Sequence, residues 1–123
     1  MLGRRAMSFI NYAEKEDVAV ITICQARMLD DANLRHLQKE ILDQIAEIEV
    51  KKLVLDFCLV EFVSSAGLGM LVRVKKRCTE RGIALRLCSL EKTVAEAIRI
   101  TGLDQLLEIE ADQAQAIASL QGQ

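Results

Sequence analysis

The chain has 123 residues, 51% hydrophobic and 28% charged, which suits one domain with a compact core and excludes disordered, collagen-like and low-complexity classes. Its 16 basic and 18 acidic residues leave a net charge of −2, and three Phe, one Tyr and no Trp offer few stacking platforms, so composition favours no nucleic-acid partner. No apolar run approaches the roughly 18–20 residues of a membrane span, and Met1 to Met7 lead into no secretion-type apolar core, so the chain reads as cytosolic without direct membrane insertion.

Residues 8–14 and 18–24 read as two strands, the second rich in β-branched residues, and the polar link Lys15-Glu16-Asp17 suits a hairpin. Asp30 or Asp31 can cap the helix that follows, whose apolar face is Leu34, Leu37, Ile41, Ile45 and Ile48 and whose end falls near Glu49. Lys52 to Phe57 is an apolar run short enough for a buried strand. Leu68, Leu71, Val72 and Cys78 then keep helical spacing to about Arg81, and Gly82 is placed to stop that helix. Ile83 to Cys88 is a further buried strand. Ser89 reads as the next helix cap, with Val94, Ala97, Ile98 and Thr101 as the apolar face before Gly102. A short strand at Leu106–Ile109 and a last helix at Ala111–Leu120 complete the order β-β-α-β-α-β-α-β-α. Strands separated by helices pair in parallel through right-handed crossovers, whereas the first two form a hairpin. The class is therefore α/β: one domain over 1–123, a mixed sheet of four to five strands with an N-terminal hairpin, and about four helices. Residues 1–7 and 121–123 are expected to be flexible ends.

Cys24, Cys58, Cys78 and Cys88 form no Cys-x-x-Cys pair, so neither zinc nor thioredoxin-type chemistry is indicated. They read as reduced thiols acting as small buried hydrophobes, with Cys24, Cys58 and Cys88 each ending an apolar run. No cofactor or metal is expected. His36 is the only histidine and sits mid-helix as a surface residue, apart from Ser64 and Ser65, and no Gly-x-Ser-x-Gly is present, so a Ser–His nucleophile has no basis. Glu61 is the one acid in an apolar, small-residue stretch, a loop charge or a partner contact. Gly67-Leu68-Gly69 imitates the start of a dinucleotide fingerprint, but Val72 occupies the third glycine position. Asp56 ends a buried strand as the acceptor of a receiver domain would, yet acids after the first strand and a lysine after a later one are missing. The chain reads as non-enzymatic.

Ser64 and Ser65 remain. At a helix start, serines serve as N-caps, and small residues with glycine bring the helix close to the sheet. The same place also tolerates a phosphoserine, because free N–H groups favour an anion. The following helix carries Arg73, Lys75, Lys76, Arg77 and Arg81 against Glu80, either a solvated face or, with Met70 and Val74, the flank of a docking surface.

Lys52-Leu53-Val54-Leu55-Asp56-Phe57, through Phe62-Val63-Ser64-Ser65-Ala66-Gly67-Leu68-Gly69-Met70-Leu71, resembles the bacterial anti-sigma-factor antagonists, which are STAS domains. Leu29-Asp30-Asp31-Ala32-Asn33, Thr101-Gly102-Leu103-Asp104 and Leu106-Leu107-Glu108-Ile109 extend the resemblance over about 8–120. It implies a partner switch. The unmodified antagonist binds an anti-sigma factor that is also a serine kinase of the histidine-kinase-like ATPase type, and this frees a sigma factor. Phosphorylation of a motif serine breaks the complex, and a serine phosphatase resets it. Aligned on Gly67-Leu68-Gly69, the family's serine falls on Ser65, with Ser64 the second choice, and its acidic position falls on Ser64, a departure. The implied partner-binding residues are Ser64, Ala66, Gly67, Leu68, Gly69, Met70 and Arg73. Two other readings stay open: a STAS accessory subunit of a lipid transporter or a signalling scaffold without a phosphoswitch, and a receiver phosphorylated on Asp56.

Overall fold

The computed structural model describes residues 9–28 and 31–122. In chain order its elements begin with β1 (Ile10–Lys15), β2 (Val18–Ile23), β3 (Arg27–Met28), α1 (Asp31–Glu47), β4 (Lys52–Asp56) and β5 (Phe62–Val63). They continue with α2 (Ser65–Glu80), β6 (Ala84–Cys88), α3 (Lys92–Ile100), β7 (Ile109–Glu110) and α4 (Gln113–Gln121). The expected strand start at Ser8, the cap at the Asp30 or Asp31 side chain, and the ends 1–7 and Gln123 lie outside the described residues.

β1 and β2 form the antiparallel hairpin, from Ile10↔Ile23 to Lys15↔Val18. Its turn residues Glu16 and Asp17 have φ of 54° and 68°, two successive left-handed residues whose twist matches that of the strands they join. β2, β4, β6 and β7 then pair in parallel, giving one mixed five-stranded sheet ordered β1-β2-β4-β6-β7.

The central strands are mainly apolar because both faces are covered. Alternation sends Ala19, Ile21, Leu53, Leu55, Leu85 and Leu87 to one side, into the main core with the apolar faces of α1, α2 and α3. It sends Val18, Val20, Val54 and Cys88 to the other, against Ala116, Ile117 and Leu120 of α4. The α1 stripe of Leu34, Leu37, Ile41, Ile45 and Ile48 is buried as its spacing predicts. Arg86 lies under α4, paired with Glu108 at 3.4 Å and bonded to Ser119 Oγ at 3.1 Å.

Four expectations need correction. Ser89 does not cap α3: its φ is 61°, and Glu91 is the cap, accepting from the Thr93 N–H at 3.3 Å. The last strand is Ile109–Glu110, because Leu106 and Leu107 still donate their N–H groups to the Leu103 carbonyl and so close the 3₁₀ turn Leu103–Gln105 before the chain extends. Cys24 and Cys58 are exposed, while Cys78 and Cys88 are buried as read, since the first two stand just beyond the strand ends. Gln121 continues α4, and its amide donates to the Glu16 carbonyl, so this end is tied to the hairpin turn.

β3 and β5 have no counterpart in the sequence reading. They pair in parallel as Arg27↔Phe62 and Met28↔Val63 in a separate two-residue ribbon. The Glu61 N–H donates to the Ala26 carbonyl at 2.7 Å, and the Ser64 N–H to the Met28 carbonyl at 3.0 Å, so the ribbon is bonded on both sides of its pairs. It ends where α2 begins.

Candidate functional site

α2 starts at the carboxyl end of this ribbon. Ser64 is its N-cap, with extended φ and ψ of −81° and 172° and Oγ accepting from the Gly67 N–H at 3.2 Å. With its N–H on Met28 and its carbonyl accepting from Leu68 at 3.0 Å, Ser64 is engaged at backbone and side chain alike. Ser65 is the first helical residue. It is exposed, and its hydroxyl makes no hydrogen bond to any described residue. Two adjacent serines therefore have different jobs: one holds the helix end, the other presents a free hydroxyl.

The glycines differ in the same way. A methyl group on Gly67 would stand 2.7 Å from Val63 Cγ1 and 3.3 Å from the Met28 carbonyl oxygen. Gly67 thus lets α2 press against the β3–β5 ribbon and sets where Ser65 emerges. Gly69 meets no such wall; its nearest neighbour would be Arg73 Nη1 at 3.6 Å.

Among the other residues singled out from sequence, Ala66 and Arg73 are exposed, and Leu68 and Met70 face the core at 7% and 0% exposure. Val74 is also buried, so Leu68, Met70 and Val74 support the site from beneath. Arg73 Nε donates to Gln38 Oε1 of α1 at 2.7 Å. Between α1 and α2, a shallow cleft is lined by Leu34, Arg35, Gln38, Ala66 and Arg73. Of the basic ridge, Lys76 and Arg77 are exposed, Arg77 beside Glu80 at 3.5 Å, while Lys75 and Arg81 are half-buried.

Sequence reasoning missed Arg27 and Phe62. Phe62 is 42% exposed beside Ser64, and the Arg27 guanidinium stacks 5.5 Å from its ring centroid. An aromatic in a chain with only three Phe, set between a loop and the serine pair, was the available signal. Glu61 stays exposed, and its carbonyl accepts from Thr93 Oγ1 at 3.4 Å, tying this loop to α3.

Asp56 is buried at the end of β4. Its Oδ1 accepts from the Cys58 N–H at 2.9 Å and its Oδ2 from Gln113 Nε2 at 2.7 Å. Both oxygens join β4, its following loop and α4, a structural role that accounts for the buried carboxylate. The parallel register places Thr22, Asp56 and Cys88 side by side at this edge of the sheet. Desolvation, then the nearby Asp56, pushes the Cys58 thiol above its ordinary pKa. His36 is exposed and packs edge-to-face on Phe9 at 4.8 Å. Among the described residues, no group of three or more His, Cys, Asp or Glu is placed to hold a metal ion, and no helix is long and apolar enough to cross a membrane.

This arrangement, a mixed sheet entered by a hairpin with a capped serine pair opening the second helix, can be set beside known proteins. The family model of the STAS domain matches residues 9–116. The chain belongs to the STAS domain family. BtrV of Bordetella bronchiseptica, named for a proposed anti-sigma factor antagonist role, is 30% identical over 83 residues, which are 68% of this chain and 71% of BtrV. The anti-sigma-factor antagonist (STAS) domain protein of Planctomyces limnophilus has the same fold, with a TM-score of 0.79 at 24% identity, covering 93% of this chain and 98% of that one. The phosphorylated form of the Bacillus cell fate determinant SpoIIAA matches with a TM-score of 0.65 at 16% identity, covering 90% of this chain and 98% of SpoIIAA. Serine and aspartate are equally good N-caps, so Ser64 fills a capping role that the acid expected at this position from the sequence resemblance could also fill.

Proposed function

We propose that this STAS domain is a non-enzymatic anti-sigma factor antagonist, acting as a partner switch controlled by phosphorylation of Ser65. The observation that carries the reading is the free, exposed Ser65 hydroxyl, held at a fixed point of the surface by the Ser64 cap and the close-packed Gly67. Unmodified, the surface around Ser65, Ala66 and Arg73 docks an anti-sigma factor that is also a serine kinase of the histidine-kinase-like ATPase type. In the modifying step, Ser65 Oγ takes the γ-phosphoryl group of ATP, its proton passes to a base of the kinase, and ADP leaves. A serine phosphatase returns the hydroxyl.

The product gains about −1.5 to −2 charges at neutral pH. An unpaired dianion in a buried interface costs several kcal/mol, which shifts binding by orders of magnitude. Little in the fold resists the change, because Ser65 contributes no hydrogen bond that phosphate would break among the described residues.

The test is incubation with candidate kinase and ATP, followed by peptide mass mapping and calorimetric titration of the partner. Phosphate is expected on Ser65, with tight binding by the unmodified chain and weak binding after modification. Ser65→Ala should bind and stay bound in the presence of ATP. Release of Ser65→Ala by the kinase at the normal rate overturns the proposal. Phosphate on Asp56 would favour the receiver reading, and co-purification with transporter subunits in place of a kinase would favour the accessory-subunit reading.

A further inference from the structure

The cleft beside Ala66, part of the surface proposed to dock the partner, has a further feature. Ser65, Gly69 and Arg73 are spaced by four and so share one face of α2. Arg73 runs back along that face toward the helix start, its Nη1 lying 3.6 Å from where a Gly69 methyl would stand. Because Gly69 has no side chain, the strip between Arg73 and Ser65 is uncovered. Arg35 approaches from α1 and lines the same cleft, and Gln38 holds Arg73 Nε at 2.7 Å. Both arginines are exposed and neither forms an ion pair among the described residues, nor does a carboxylate line the cleft. The space is about 90 Å³, several times what one water molecule needs. Two arginines thus line a small polar recess one helical turn from a free hydroxyl, without a counter-charge among the described residues.

We propose that this recess is an intramolecular phosphate clamp: once Ser65 is phosphorylated, Arg73 and Arg35 bind its phosphate and link α1 to α2 across the cleft. The ligand is a phosphomonoester dianion, and the guanidinium fork suits its oxygens through paired charge-assisted hydrogen bonds. The inference rests on the reading of Ser65 as phosphoacceptor and adds a mechanism to it. In the unmodified chain the two arginines are available to acidic groups of the docked partner. In the modified chain they are consumed by the protein's own phosphate, so release includes loss of an attraction as well as gain of a repulsion. The clamp also shelters the phosphate from a phosphatase.

Full-length chain with phosphoserine genetically encoded at position 65 tests this without any kinase. In ¹H–¹⁵N spectra of arginine side chains, the Hε resonances of Arg73 and Arg35 are expected to move downfield and gain protection from exchange relative to the Ser65 protein. Arg73→Gln in the phosphorylated chain should let alkaline phosphatase remove the phosphate on the order of tenfold faster, the scale of one charge-assisted hydrogen bond. Arg73→Lys, which keeps the charge but loses the fork, should fall between. Unmoved arginine resonances, or equal dephosphorylation rates for the Arg and Gln proteins, would overturn the clamp. A kinase that never modifies Ser65 would overturn the antagonist reading alone, since the encoded phosphoserine still decides the clamp.

Discussion

Gly67 and Gly69 lie two residues apart in one helix, and replacing each by alanine should move stability in opposite directions. Removing glycine from a helix gains about 0.5–1 kcal/mol, since alanine loses less backbone entropy on folding. At Gly69 nothing opposes that gain: the new methyl meets only the flexible tip of Arg73 at 3.6 Å, an ordinary van der Waals distance. At Gly67 the methyl would be 2.7 Å from Val63 Cγ1, 3.3 Å from the Met28 carbonyl oxygen and 3.5 Å from Met28 Cβ. Met28 and Val63 are register partners in the β3–β5 ribbon, so relief requires α2 to lift off paired backbone. Overpacking of this kind costs about 1–3 kcal/mol. Gly67→Ala is therefore expected to destabilise by a net of about 0.5–2 kcal/mol, and Gly69→Ala to stabilise by about 0.5–1. Urea unfolding gives both values, as shifts in midpoint at constant m. If Gly67→Ala stabilised as much as Gly69→Ala, the close approach of α2 to the ribbon would be wrong, and with it the account of how Ser65 is positioned.

The serine pair gives a second contrast: Ser64→Ala should cost about 1 kcal/mol through loss of the cap, Ser64→Asp should be near neutral, and Ser65→Ala should stay within about 0.5 kcal/mol, all by urea midpoint. Asp56→Ala removes the buried carboxylate that accepts from the part-buried Cys58 N–H and Gln113 amide, for a loss of about 1–2 kcal/mol by the same measurement, while kinase labelling of Ser65 persists. Burial pushes the Cys78 thiol up to about 11 and Cys88 up to about 12 from an ordinary 9.0. The unfolded chain releases these protons above about pH 9 while the folded chain keeps them, so stability is full below that pH and falls as pH rises toward the folded values. Urea midpoints across that range read the decline, and Cys88→Ala should flatten it. A thiol reagent at neutral pH should label Cys24 and Cys58 in the native state, and Cys78 and Cys88 only after unfolding.

What could be read in the sequence divides by the length over which a pattern can repeat. The α1 stripe from Leu34 to Ile48 and the apolar runs of β2, β4 and β6 span five residues or more, long enough for a period to show and for burial on one or two faces to impose it. β3 and β5 have two residues each and no period, and they pair across more than thirty positions of sequence. Only tertiary contact creates them. The site shows the same division. That α2 begins at the serine pair was legible from local chemistry, because capping is a local hydrogen bond. Which serine caps was not, since Ser64 is fixed in that role by its N–H bond to Met28, a residue of the other ribbon strand. Gly67 follows the same rule: its need for hydrogen in place of a methyl comes from Val63 and Met28, and Met28 is 39 positions upstream. The free hydroxyl of Ser65 is thus set by the ribbon, which binds Ser64 into the cap, admits α2 only over a glycine, and leaves the next residue exposed at the helix start.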